Sequence, residues 1–359
     1  MIDPSIRTLA MHDPRLQAPA DRLRSLPLVD DEQADEYGRG GAVQRLEERM
    51  AALLGKERAV FMPTGAMASQ IALRLHADAR TTRVVGFHPR AHIEVHERKG
   101  YAVVHQLIGK QLGDHDRLLT LDDLENVREP LAAVLWELPQ RDLGGLLPEW
   151  DDLVAQTAWA RERGAATHLD GARIWEARPY YARSHAEIAA LFDTVYVSLY
   201  KSLGGLGGAV LAGPAAMIEH AREWRARLGG QLRHAWPLAV SAEAGLDAWL
   251  PRMHDYWMRA RELAAALVDL PGVDVVPRPP QTPLFHVHFD ASCAALDSAH
   301  AELVDEGGMR LYMRSWTTTH PDRSRIEVTV GEQAMQMPVH EVRDAVDALA
   351  HRARRHHER

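Results

Sequence analysis

The sequence predicts an α/β protein, with a mostly parallel sheet in a larger domain followed by a smaller α+β domain. Three observations carry that expectation. Up to about residue 245, apolar runs of strand length alternate with helix-like segments, the pattern of parallel strands covered by helices on both faces. Beyond that point the alternation gives way to a long helical stretch, a group of short strand-like runs and a closing helix. The chain has 359 residues, 46% of them hydrophobic, enough for one large or two medium cores. The expected division is an N-terminal arm over 1–40, a large domain over 41–245 and a small C-terminal domain over 246–359.

The elements follow in order. The first forty residues are rich in Pro, Asp and Arg and read as an irregular arm. In "AVQRLEERMAALLG", Val43, Leu46, Met50 and Leu53/Leu54 recur at helical spacing, and Gly55 marks the stop. "RAVFM" reads as a strand and "PTGAMASQIALRLHA" as a helix with Thr64 near its start. "TRVVGF", "YAVVHQL", "LAAVLWEL", "AATHLD", "TVYVSL" and "GAVLAG" are apolar runs of strand length. "DLVAQTAWARERG" and "AAMIEHAREWRARLG" are helices between them. In the small domain the helix "RMHDYWMRARELAAALVDL" leads to the strand-like "VDVVP", "LFHVHFD", "MRLYM" and "RIEVTV", with "PRPPQTP" as a Pro-rich connector and a helix from about Val339.

Composition excludes several classes. The formal charge is -8, whereas a nucleic-acid binder shows a net basic face. The Arg-rich "HRARRHHER" reads as the solvated end of the last helix. Cys293 is the single cysteine, so no intrachain disulfide forms, which fits a reducing compartment. "MIDPSIRTLAMHDPRLQ" lacks the apolar core of a secretory signal, and no run approaches the roughly 18 apolar residues of a membrane span. These features lead us to expect a soluble, cytoplasmic protein with neither nucleic acid nor membrane as partner.

Four features stand at expected strand ends or helix starts, where ligands of open α/β sheets bind. The first is Lys201, after an apolar strand ending near Ser198 and before a glycine-rich segment. Lysine occurs at Lys56, Lys99, Lys110 and Lys201 alone, and everything else basic is Arg or His. An amine forms a Schiff base with an aldehyde, and a guanidinium does not replace it. The glycines after it would allow close backbone approach. The second is "THLDGARIW", where Asp170 at a strand end could pair with a protonated pyridine nitrogen and Arg173 offers a planar fork for a carboxylate. The third is "MPTGAMASQ", where Pro63, Thr64 and Gly65 lie between a strand and a helix, a place fit for a phosphate. Thr64 also reads as a plain helix cap. The fourth is "RAHIEVHERKG", with His92, His96 and Glu97 on or near one helical face. An imidazole there could stack on a flat ring or move a proton. Neither His lies in a His-Glu-x-x-His pattern, and no metal is expected.

In this order the four features resemble the low-specificity threonine aldolase/β-eliminating lyase family, pyridoxal 5'-phosphate (PLP) enzymes of the aspartate aminotransferase fold type I. The similarity runs from about Asp35 to the C-terminus, through "EYGRGGAVQRLEERMAALLGKERAVFMPTGAMASQ", "LDGARIW", "KSLGGLGGAVLAG" and "RLGGQLRHA". It implies a seven-stranded, mostly parallel sheet in a large αβα domain. It also implies that Lys201 carries PLP as an imine, Asp170 binds the pyridine nitrogen and His92 stacks on the ring. Gly65 and Ala66, with Thr64 and Ser198 beside them, would hold the phosphate. Arg173 would take the substrate carboxylate, Arg233 would reach the cofactor of a neighbouring subunit, and Tyr37 would lie near the site. The assembly implied is a homotetramer, a dimer of dimers with shared active sites.

The chain departs from the family pattern in places. An Arg-Ser-Asp-Thr strand is replaced by "LRSLPLVDDE". Gln140, in "ELPQRDLGG", stands where the family carries a His that handles the substrate hydroxyl, and Gln is no general base. Tyr200 precedes the lysine where a smaller residue is common. Glu327 falls near the place of a clamp Arg, with Arg314 and Arg325 as substitutes. The expected function is cleavage of the Cα–Cβ bond of a β-hydroxy amino acid to glycine and an aldehyde, with His96 as the base in place of residue 140. β-Elimination or racemisation by the same coenzyme, a PLP-binding regulatory protein and an unrelated α/β protein remain alternatives.

Overall fold

The computed structural model of the chain describes residues 7–9, 18–28 and 32–357. Much of the expected arm, residues 29–31 of "LRSLPLVDDE" and the last two residues of the basic tail lie outside the described residues. Two compact units are present. One spans 25–142 and 147–250; the other takes 143–146 and 251–359 together with the residues before 25. The expected arm over 1–40 is therefore divided between the units, and the chain passes to the second at 250/251 rather than at 245/246.

The first unit is built on seven strands: β1 (Arg58–Met62), β2 (Val84–Phe87), β3 (Ile108–Gln111), β4 (Ala133–Glu137), β5 (Ala166–Asp170), β6 (Thr194–Ser198) and β7 (Ala209–Gly213). Their order is β1-β7-β6-β5-β4-β2-β3. β7 runs antiparallel to β1 and β6, and the remaining pairs are parallel. Every strand except β7 thus ends on one edge of the sheet, and side chains at those ends are gathered by topology alone. The register places Glu137 beside Asp170, and Asp170 beside Tyr196.

Helix Gly41–Leu54 buries Val43, Leu46, Met50 and Leu54, and ends at Gly55, whose φ of 61° is the left-handed conformation that favours glycine. Helix Gly65–Asp78 packs Ala68, Ile71 and Ala72 against Val60, Met62, Tyr196 and Leu211. A second cluster joins Leu73 and Ala77 of the same helix to Val85, Phe87, Leu135 and Ala166. Each large aliphatic side chain buried this way contributes about 1.5–3 kcal/mol. Both clusters back the strand ends with a rigid platform.

Two expected strands are not found. "YAVVHQL" is a short helix, Gly100–Val103, followed by a turn, and the strand begins at Ile108. Tyr101 turns inward with its ring edge-on to Phe87 at 5.3 Å, while Val103 stays 78% exposed. Gly109 allows this packing, since a Cβ there would meet the Tyr101 hydroxyl at 2.5 Å. Pairing with β2 therefore overrides the β propensity of the valines.

The second unit holds a four-stranded antiparallel sheet of β8 (Val273–Val276), β9 (Leu284–Phe289), β10 (Ser315–Thr317) and β11 (Ser324–Thr329), in the order β10-β11-β9-β8. Helices Met253–Leu267, Cys293–Asp305 and Val339–His357 accompany it. "MRLYM" is not a strand. Its backbone goes elsewhere: the Leu311 N–H donates to His300 Nε2 at 3.0 Å and Arg310 forms a single bridge with Thr8. Tyr312 stacks on His300 at 4.0 Å and donates to Asp297. Among the described residues no helix is long and apolar enough to cross a membrane.

Candidate functional site

The site is assembled from the strand ends of the first unit. β4 ends in Glu137, β5 in Asp170 and β6 in Ser198, and Lys201 follows β6 by one short turn. The Gly171 N–H donates to the Tyr196 carbonyl at 2.8 Å, which ties the turn after β5 to β6. The Ala172 N–H donates to Asp170 Oδ1 at 3.1 Å and fixes the carboxylate. Ser202 donates to Glu176 at 2.5 Å, holding the Lys201 turn against the helix that Arg173 caps. Arg173 is buried, with Nε 3.8 Å from Glu176.

Electrostatics follow from burial and from these neighbours. Burial first, then the Arg173 guanidinium, lower Lys201 to about 8, with Asp170 and Glu137 opposing them. Burial first, then the charge of Asp170, raise the Glu137 carboxyl to about 7, with His92 opposing. Glu137 accepts from the N–H groups of His92 (2.9 Å) and Arg141 (3.1 Å). His92 sits in the short helix His92–Val95 after β2, its Nδ1 3.0 Å from Glu97. Burial opposes charge on that imidazole, but the Glu97 hydrogen bond, with Asp170 and Glu137 behind it, outweighs burial and holds it above its ordinary range. Gln70 donates to the second Glu97 oxygen at 2.8 Å. The His96 ring lies 5.1 Å from that of His92, and its Nε2 is 3.2 Å from Asp142.

The loop after β1 reaches the same edge. Thr64 caps helix Gly65–Asp78: its hydroxyl accepts from the Met67 N–H and its carbonyl from the Ala68 N–H. No acceptor is found among the described residues for the N–H groups of Gly65 and Ala66. Ser198 Oγ is buried and also without a partner. It shares a face of β6 with Tyr196, whose hydroxyl would lie 1.9 Å from a Cβ on Gly65. Gly65 is therefore required by Tyr196 as well as by the loop.

The glycine-rich segment after Lys201 also has a packing role at two positions. Its glycines meet protein atoms: a Cβ on Gly208, at φ 91°, would lie 2.5 Å from the Phe61 ring, and one on Gly205 would lie 2.5 Å from the Leu199 carbonyl. Tight packing demands them.

The remaining expected residues are placed as follows. Gln140 is buried, and its amide donates to the Arg90 carbonyl (3.0 Å) and to Glu137 (3.3 Å). Tyr37 and Arg233 come together, the Tyr37 N–H donating to the Arg233 carbonyl at 2.9 Å. Buried Asp35 clamps this pair by accepting from Gly38, Ala235 and Trp236. Both side chains are exposed, and no contact of either with the strand-end cluster is found among the described residues. Arg314 belongs to the second unit, its guanidinium over the Trp316 ring at 5.8 Å. Among the described residues no three His, Cys, Asp or Glu converge as metal ligands.

Sequence reasoning placed Glu97 only beside the two histidines, and left Glu137, Tyr196 and Asp142 out of the site. Glu137 carried the same signal as Asp170, an acid closing an apolar strand. Asp142 carried none.

Comparison with known proteins completes the picture. A model of the beta-eliminating lyase family matches residues 27–292. Low-specificity L-threonine aldolase 1 of Arabidopsis thaliana is 26% identical over 347 residues, 93% of this chain and 94% of its own length. The low specificity L-threonine aldolase of Escherichia coli (strain K12) is 30% identical over 266 residues, 72% of this chain and 78% of its own. A crystal structure from Listeria monocytogenes EGD-E, provisionally an L-allo-threonine aldolase, superposes with a TM-score of 0.90 at 36% identity, covering 96% of this chain and 97% of that one. The architecture is that of fold type I, as the resemblance implied. Matched across most of its length, the chain belongs to the beta-eliminating lyase family.

Proposed function

We propose that the protein is a PLP-dependent lyase that cleaves the Cα–Cβ bond of a threonine-like β-hydroxy amino acid to glycine and an aldehyde. One observation carries the reading: an amine at the sheet edge that shares its electrostatic surroundings with the carboxyl groups of Asp170 and Glu137 and the buried guanidinium of Arg173. The residues fit the coenzyme. Lys201 is the amine for its aldehyde. Asp170 is the carboxylate for its ring nitrogen. The unpartnered Ser198 Oγ and the open N–H groups of Gly65 and Ala66 are donors for its phosphate.

When bound, PLP supplies an electron sink for a bond broken at Cα. Arg173 takes the substrate carboxylate and so selects which bond at Cα lies perpendicular to the ring. His92 would stack on the coenzyme ring, with Glu97 favouring its charged form. His96 accepts the proton of the substrate hydroxyl, since Gln140 has no basic atom and spends its amide on Arg90 and Glu137. The exposed Tyr37–Arg233 pair serves the site of a neighbouring subunit in a cytoplasmic homotetramer.

The same Gln140 favours a second reading, β-elimination, which needs a base at Cα but none at a hydroxyl. Purified protein reconstituted with PLP separates the two. Glycine and an aldehyde released from β-hydroxy amino acids support the first reading, whereas pyruvate and ammonia from a β-substituted substrate support the second. Lys201→Ala should abolish both, along with the yellow colour. A Lys201→Ala protein as yellow and as active as the parent would end the reading.

A further inference from the structure

We infer that Asp142 is a positioning residue that sets the tautomer of His96 for proton transfer from the substrate hydroxyl. The inference rests on the proposed aldolase reading, in which His96 is the base.

The geometry is that of an imidazole backed by a carboxylate. His96 Nε2 lies 3.2 and 3.4 Å from the two Asp142 oxygens. An ionised carboxylate only accepts, so Nε2 carries the hydrogen and the lone pair is left on Nδ1. This is the arrangement by which a third group orients and activates a base. Both partners are anchored. The His96 N–H closes onto the His92 carbonyl at 2.9 Å. Asp142 sits in the 3-10 turn Arg141–Leu143, whose first N–H donates to Glu137 at 3.1 Å. The dyad is therefore fastened to the strand end that carries Glu137 and lies beside the His92 ring.

Stability does not account for the pair. The side chains are 32% and 16% exposed, and a polar contact so close to solvent adds little to stability. The partial exposure is what a base needs to meet a substrate. The dyad also answers the loss of a basic group at Gln140, two residues before Asp142.

The step balances without another reagent. The hydroxyl proton passes to His96 Nδ1, and the pair left on oxygen becomes the second bond of the aldehyde carbonyl. The Cα–Cβ pair stays with the glycine fragment, which regains one proton at Cα as His96 returns its own. Asp142 offsets the transient imidazolium charge.

The test uses the PLP-loaded enzyme with threonine, and three variants: Asp142→Asn, Asp142→Glu and His96→Phe. Asp142→Asn should lower kcat by at least on the order of 10–10²-fold, a part of the general-base contribution of His96, with KM little changed. Asp142→Glu should recover part of the loss. Ring 15N spectra of histidine-labelled protein should show His96 protonated at Nε2 in the parent and a mixture of tautomers in Asp142→Asn. If His96→Phe loses turnover while Asp142→Asn keeps the parent kcat, or if the parent carries its hydrogen on Nδ1, the inference falls and the aldolase reading survives. If His96→Phe turns over like the parent, the base assignment itself is wrong.

Discussion

The first unit contains two histidine clusters that the same fold treats in opposite ways. Between the sheet and helix Gly65–Asp78, His76 Nε2 and His168 Nδ1 both lie 2.8 Å from the Thr194 hydroxyl, and His168 Nε2 lies 3.3 Å from Ser69. Burial, with Arg80 adding to it at His76 and His76 adding to it at His168, drives each imidazole down to about 3. At the sheet edge, His92 is also penalised by burial, yet Glu97, Asp170 and Glu137 leave it above its ordinary range. Burial does not choose between these outcomes; the partner does. A hydroxyl satisfies a neutral ring but cannot offset a charge, whereas a carboxylate can. His168 and Asp170 stand two residues apart on β5, so the switch from neutral to charged interior takes place along one strand. The fold places its buried charge where the strands end and keeps its middle neutral.

Breaking the charged side of this comparison should have the largest effect. Asp170→Asn removes the carboxylate shared by the fields of Lys201, Glu137 and His92. Turnover of the reconstituted enzyme should fall on the order of 10²–10³-fold, the usual cost of losing one preorganised electrostatic group. A circular dichroism melt close to the parent's would confirm that the loss is chemical. Next comes Glu97→Gln, which keeps the shape but removes the charge facing His92 Nδ1. Hydrogen bonds to charged groups are worth about 1.5–3 kcal/mol, so the His92 titration followed by NMR should move downward and turnover should drop about tenfold.

On the neutral side the readout is stability. Thr194→Val leaves both imidazoles without their common partner, which should cost about 1–3 kcal/mol in urea unfolding with kcat nearly unchanged. A Thr194→Val protein that lost turnover but kept its unfolding midpoint would show that the middle of the sheet takes part in the chemistry. The last prediction concerns pH. His76 and His168 titrate near 3 when folded and near 6.5 when unfolded. The unfolded chain therefore binds more protons between those values. Their stabilisation is complete above about pH 6.5 and is lost as the pH falls toward 3. Urea midpoints measured across that window should fall less steeply in His168→Asn than in the parent.

Much of this fold could be read from local pattern. Apolar strands alternating with helices announced the parallel sheet, and Gly55 and Thr64 marked helix ends as they stand in the structure. Lys201 and Asp170 stood out because each is a charged residue at or just after the end of an apolar run. The misplaced strands "YAVVHQL" and "MRLYM" show the limit of such reading. Two valines favour a strand in isolation, but the inward turn of Tyr101 onto Phe87 decided otherwise, and the backbone at 310–311 bonds to Arg7, Leu9 and His300 instead of a neighbouring strand.

The sequence by itself determined the fold class, the family and the amine–carboxylate–guanidinium set, because these depend on residue type and on distances along the chain. Only the tertiary structure decided that Gln140 is buried against Glu137, that Asp142 faces His96, and that Glu97 raises one histidine above its ordinary range while burial beside Thr194 lowers two others. Those outcomes depend on which groups from distant segments share a dehydrated space. Electrostatic energy follows distance through that space, and separation along the chain does not report it.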